Sequence, residues 1–142
     1  MGRNALLMVS RLLFAVLFVP SGFQALANVA GTTSYFSGLG LPLPALAAWA
    51  TGLFELIAGL LILVGFQTRI VALLLAAFCI VAGFIGHYGQ GAGDATLAFM
   101  HQQMLMKDIA IAGGFLALAM AGAGAWSADG GLRHRRRRDL TI

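Results

Sequence analysis

Charge is what this chain has least of. Lys, Arg, Asp and Glu make up 10% of its 142 residues, against about 25% in ordinary soluble domains. Only five of those residues are acidic, and hydrophobic residues make up 60%. A soluble fold of this length cannot hide that much apolar surface, so lipid must serve as solvent for much of it. Cysteine is nearly absent: Cys79 stands alone inside an apolar run. That excludes an internal disulfide and any paired-cysteine zinc or redox motif, and it reads as a small buried hydrophobe. Proline occurs three times, as Pro20, Pro42 and Pro44, so most of the chain is free of helix breakers. The sequence also lacks a nucleophile elbow, a P-loop, a helical zinc-protease motif and a haem-attachment motif. "GQGAG" at Gly89–Gly93 follows no strand, so it reads as a loop rather than a nucleotide fingerprint.

What is present is four apolar segments, at about 5–27, 45–66, 70–88 and 104–126. Each approaches the ~20 residues that carry a helix across a hydrocarbon core of about 30 Å. Lipid cannot satisfy free backbone groups, and no period-2 alternation signals a barrel. The reading is therefore an all-α integral membrane four-helix bundle, antiparallel, formed by residues 1–132, with a basic tail at 133–142. The first segment ends in "ALA", like a signal-peptide cleavage site, but Arg11 inside it favours a retained span. Pro20 is expected to kink that helix or end its regular part. The segment "NVAGTTSYFSGLGLPLP" at 28–44 reads as turn chemistry, with Tyr35, Phe36 and Trp49 as interfacial anchors. "GFQTR" is short enough to make the second and third spans a helical hairpin. The third link is longer and polar, "GHYGQGAGDATLAFMHQQ".

Arg3, Arg69 and the five arginines of "RHRRRR" fall on one side of this arrangement, and the opposite loops hold no arginine. The positive-inside rule then places both termini in the cytoplasm. The arginine run, Arg133–Arg138, lacks interleaved aromatics and follows a span directly. It reads as a topology determinant that touches anionic lipid, not as a nucleic-acid site.

Charges within membrane helices usually face the bundle interior or a wet cavity. Glu55 lies ten residues past Ala45, about 15 Å along a helix and near mid-membrane. It shares a face with Gly52 and Gly59, which lets a neighbouring helix approach. Arg11 is the expected partner, directly or through water, although helical side chains lean toward their own N-terminus and would point this pair apart. The alternative is Arg11 snorkelling to lipid phosphate. Lys107 and Asp108 open the fourth segment, ahead of small-residue rows with Gly113 and Gly114 as packing positions. Arg11, Glu55, Lys107 and Asp108 form the candidate polar core. His87 and His101 bracket the polar link as outer candidates for proton relay. No third ligand is fixed by spacing, so no metal is assigned.

The stretches "SRLLFAVLFVPSGFQAL", "GLGLPLPALAAWATGLFELIAGLLILVGFQTRIVALLLA" and "QMLMKDIAIAGGFLALAMAGAGAWSADG" resemble the DoxX family of small four-helix membrane proteins. The most specific part is Glu55, Gly59, Gly65, Thr68 and Arg69. Arg11, Ser21-Gly22 and the closing Gly122, Gly124, Ser127 and Asp129 also fit. The chain departs from the family pattern at Gln24, where a lysine is usual, and at Lys107-Asp108, where Lys-Asn is usual. The resemblance implies a multi-pass bacterial inner-membrane protein. Some relatives are linked to quinone-coupled thiosulfate oxidation, and others to oxidative-stress or thiol-redox assemblies. The expected role is an accessory or anchoring subunit of a membrane redox assembly, with the lipid bilayer and a redox protein as partners and homo-oligomers as a further option. The alternative is a quinone- or small-molecule-binding oxidoreductase component, and a small transporter ranks last. Quinone is the one cofactor that this resemblance brings forward.

Overall fold

The computed structural model describes residues 2–132; the Arg133–Arg138 run lies outside them. The described residues form five α-helices: α1 (Arg3–Ala27), α2 (Val29–Gly38), α3 (Pro44–Val64), α4 (Thr68–His87) and α5 (Ala95–Ala121). All but α2 are long and apolar enough to cross a membrane. Their outward faces carry large hydrophobic side chains in the open, such as Leu13 at 69% exposure, Val16 at 72% and Met120 at 81%. Such a surface suits acyl chains.

Local chemistry sets most boundaries. Pro44 opens α3, where its missing N–H is an orphan anyway and its fixed φ suits a helix start. Gly65 closes α3 at φ 70 in a Schellman arrangement: Phe66 N–H donates to the Leu61 carbonyl at 3.0 Å, and Gly65 N–H donates to the Ile62 carbonyl at 3.1 Å. The Asp94 carboxylate caps α5 by accepting from Thr96 N–H and Leu97 N–H.

Three expectations change. The 28–44 link is not simply a turn: it contains α2, which Asn28 caps by accepting from Gly31 N–H. Of the two outcomes expected of Pro20, a kink or an end, the end does not occur, since α1 runs on to Ala27; membrane helices tolerate an interior proline where neighbouring protein supports the backbone, and Gly22 presses α1 onto α3 just beyond it. The fourth span begins at Ala95 rather than near 104 and ends at Ala121. His101 therefore sits on a helix, and Trp126 lies beyond it in a return segment, 122–132.

Packing is pairwise: α1 lies chiefly on α3, α4 on α5, and α2 along α3. Gly22, Gly52 and Gly59 bring α1 and α3 together. A Cβ added at Gly22 would lie 2.8 Å from the Gly52 carbonyl oxygen, and Gly52 and Gly59 are covered by Leu26 and Val19. Gly114 packs against the Phe14 ring, but Gly113 is exposed with open space around it, so its expected packing role does not hold. Aromatics join the two pairs: Phe14 stacks on Phe115 at 4.0 Å between centroids, and Phe18 meets Phe115 edge-on at 5.5 Å. Ile62, Leu75 and Phe115 are fully buried at the centre.

Candidate functional site

The polar side chains do not form one core. They separate into two groups, toward opposite ends of the bundle.

At the end carrying the termini, Arg11 is 2% exposed. Its Nη1 donates to the Leu63 carbonyl at 2.9 Å, and its Nη2 donates to the Trp126 carbonyl. Leu63 lies in the last turn of α3, whose final carbonyls lack helical partners and carry the negative end of the helix dipole. A guanidinium suits both needs at once. The Asp129 carboxylate adds a favourable charge to Arg11 and accepts from Gln67 N–H at 2.9 Å and Thr68 N–H at 3.0 Å, capping α4. Asp129 N–H donates back to the Gly65 carbonyl at 2.9 Å. Arg11 and Asp129 thus tie α1, the α3–α4 turn and the return segment into a knot.

The expected Arg11–Glu55 pair is therefore not formed. Glu55 lies eight residues before Leu63, or about 12 Å along α3. The opposed lean of the two side chains decides the matter: Arg11 points toward the termini, and Glu55 points away from them. Lys107 is exposed and lies outside the cavity described next.

Toward the other end, α1, α2, α3, α4 and α5 surround a partly open cavity of about 450 Å³. Most of its wall is apolar, including Leu17, Phe18, Phe36, Phe78 and Ile85. Glu55 enters from α3 beside Ser21, and its Oε2 is buried without a hydrogen-bond partner. His87 enters from α4 and Asp108 from α5, with His87 Nε2 and Asp108 Oδ2 3.8 Å apart. Behind them, His87 Nδ1 and His101 Nδ1 share a hydrogen bond at 3.0 Å. Gly83 makes room for this arrangement, because a Cβ there would lie 2.9 Å from both Cβ and Oδ2 of Asp108. Buried Cys79 lines the same wall. Among the described residues no Arg or Lys lines the cavity, so its chemistry is that of acids, an imidazole and hydroxyls. Such a site receives and donates hydrogen bonds to a neutral or cationic molecule and is poorly suited to an anion.

The structure therefore brings Glu55, Asp108, His87 and His101 into one neighbourhood and leaves Arg11 and Lys107 outside it. The sequence named Tyr35 as an interfacial anchor, Cys79 as a small buried hydrophobe, and Ser21 and Asp129 as positions of the family pattern, but it placed none of them at a cavity or a cap. Asp129 carried a usable signal: a carboxylate in "SADGG" after the last span is typical of capping and turn positions. Tyr35 and Ser21 carried none, because their place on the cavity wall depends on how α2 and α1 pack.

Comparison with known proteins agrees with this architecture. The DoxX family profile matches residues 6–88, from α1 through α4. The chain is 38% identical over 128 residues to the inner membrane protein YphA of Escherichia coli K12, covering 89% of this chain and 90% of that protein. It is also 38% identical over 125 residues to the inner membrane protein YqjF of the same organism, covering 86% and 88%. No solved structure gives a significant match. The family match spans more than half of the chain, the relatives align over nearly all of it, and four helices have the length and hydropathy of spans: this chain belongs to the DoxX family and is an integral protein of the inner membrane.

Proposed function

We propose that this protein holds a small amphipathic molecule of the quinone or quinol class in the cavity, as the membrane-bound accessory component of a redox assembly. One observation carries the reading: Glu55 places an unpartnered carboxylate oxygen in a largely apolar cavity that His87 and Asp108 also line. Buried polar atoms nearly always have partners, and a volume of this size with a few convergent polar groups is typical of small-molecule sites. In the quinol form, a ring bearing two hydroxyls in para positions would donate one to the Glu55 carboxylate and hold the other toward His87 and Asp108. Its apolar tail would run along Leu17, Phe36 and Ile85 toward lipid. The redox partner would exchange electrons with the bound ring, so the anchoring and ligand-binding readings become parts of one role. In this proposal the end with Arg3 and Arg69 faces the cytoplasm, following the positive-inside rule, and the cavity opens in the opposite half of the bilayer.

The test is saturable binding of a short-chain ubiquinol analogue, kept reduced, to the full chain in nanodiscs. Glu55→Gln keeps the shape and removes the charge. The expected result is about a tenfold weaker affinity, the equivalent of one buried hydrogen bond to a charged group, with helicity unchanged. Absence of saturable binding by the wild-type chain, or unaltered affinity in E55Q, overturns the reading.

A further inference from the structure

We infer that His101, His87 and Asp108 form a proton relay joining the surface at the end of the bundle away from the termini to the cavity. The inference goes beyond the ligand proposal, because a proton delivered to Asp108 reaches the cavity whatever molecule occupies it.

The geometry is sequential. His101 and His87 share a hydrogen bond through their Nδ1 atoms at 3.0 Å, so one ring donates and the other accepts. That leaves each ring an Nε2 that the shared bond does not use. His87 Nε2 faces Asp108 Oδ2 at 3.8 Å, and Asp108 lines the cavity. This gap is longer than a hydrogen bond and is closed by a small side-chain shift or by one bridging water. His101 Nε2 makes no hydrogen bond among the described residues and is not among the buried unpartnered atoms, so the relay takes it as the outer end. His101 sits two turns into α5, a helix that begins at Ala95 at that end of the bundle.

The transfer balances. An O–H bond of a hydronium ion outside breaks, leaving water, as an N–H bond forms at His101 Nε2. The N–H bond at His101 Nδ1 breaks as one forms at His87 Nδ1. The His87 Nε2–H bond then breaks as an O–H bond forms on Asp108 Oδ2. One proton has entered, Asp108 is neutral, and both rings are neutral with their tautomers exchanged. Rotation of the rings or exchange with water resets them. Imidazole is suited to this because one nitrogen accepts while the other donates. The other titratable groups in this neighbourhood are Glu55 from α3 and Cys79 from α4, both on the cavity wall, and Tyr35 from α2, whose hydroxyl packs over Gly86. Lys107 on α5 is exposed, and Asp94 is engaged in capping.

A bland alternative is that the His pair only staples α4 to α5. Deuterium exchange into the cavity carboxyls separates the two roles. The full chain in nanodiscs, without any added ligand, is pulsed with D2O at a pH where the carboxylic C=O infrared band is present. Asp108→Asn and Glu55→Gln assign the bands. His101→Gln and His87→Gln retain a hydrogen-bonding side chain but cannot pass a proton on. The expected result is exchange at Asp108 slowed about a hundredfold in both variants, the usual worth of a positioned acid–base group. Added imidazole restores the rate in His101→Ala. Wild-type exchange rates in either folded glutamine variant overturn the relay, since protons then enter through the cavity mouth. Slowing that imidazole does not reverse also overturns it, in favour of the staple. Because no quinone is present, failure here leaves the binding proposal standing, and failure of quinone binding leaves this one standing.

Discussion

The two polar regions of this bundle use similar residues to opposite ends. Near the termini, Arg11 and Asp129 are consumed by backbone: carbonyls of Leu63 and Trp126 on one side, N–H groups of Gln67 and Thr68 on the other. Near the other end, Glu55 keeps an unpartnered oxygen and His87 stands 3.8 Å from Asp108, around open volume. A polar group whose bonds are spent on helix ends holds the fold together. One whose bonds are unspent, in a cavity, is available to something else. Arg11 Nε and the Thr68 hydroxyl are also buried without partners at the first end, so the regions differ in the open volume beside Glu55, which the Arg11 site lacks.

That contrast is open to attack by substitution. The largest effect is expected at Arg11→Met, which leaves two carbonyls and the Asp129 carboxylate without their cation; loss of one member of a buried charged network costs about 3 kcal/mol, read as a lower denaturant midpoint in detergent. Asp129→Ala comes next, with a loss of about 1 kcal/mol from the uncapped start of α4; a melting temperature equal to the wild type would remove the knot from the account. Glu55→Gln is expected to change stability by less than about 0.5 kcal/mol, since it breaks no hydrogen bond to helix ends, while its quinol affinity falls. A strong destabilisation there would move Glu55 into the structural class and erase the difference between the two regions. The smallest effect is expected at Gly113→Ala. Its surroundings are empty, so the better helix former should stabilise by up to about 0.5 kcal/mol, whereas the same change at Gly52 meets the Leu26 side chain at 2.9 Å and should destabilise.

Some parts of this structure were legible because they depend on short stretches of chain. The four spans follow from segment length and hydropathy, and the α3–α4 hairpin from the brevity of "GFQTR". Other parts were obscured by composition. "NVAGTTSYFSG" is rich in residues that favour turns, yet Asn28 caps it and packing along α3 makes it a helix. "ATLAFMHQQ" reads as a polar link because of its His and Gln, although Asp94 ahead of Thr96 and Leu97 is a sound helix start. Within the small-residue rows of the last span, Gly113 faces open space and Gly114 faces Phe14, a difference that depends on how α5 is turned against α1.

By itself the sequence determined that this protein lives in a bilayer, that it crosses as helices, and that a carboxylate sits deep within it. Those are consequences of transfer free energy and backbone satisfaction, which sum along a segment without regard to its neighbours. Only the tertiary structure decided which polar groups meet. Arg11 went to a helix end and left Glu55 to a cavity shared with His87 and Asp108. That choice turns on the rotation and depth of one helix against another, where a single turn moves a side chain by about 5 Å. A hydrogen bond tolerates only a fraction of that distance.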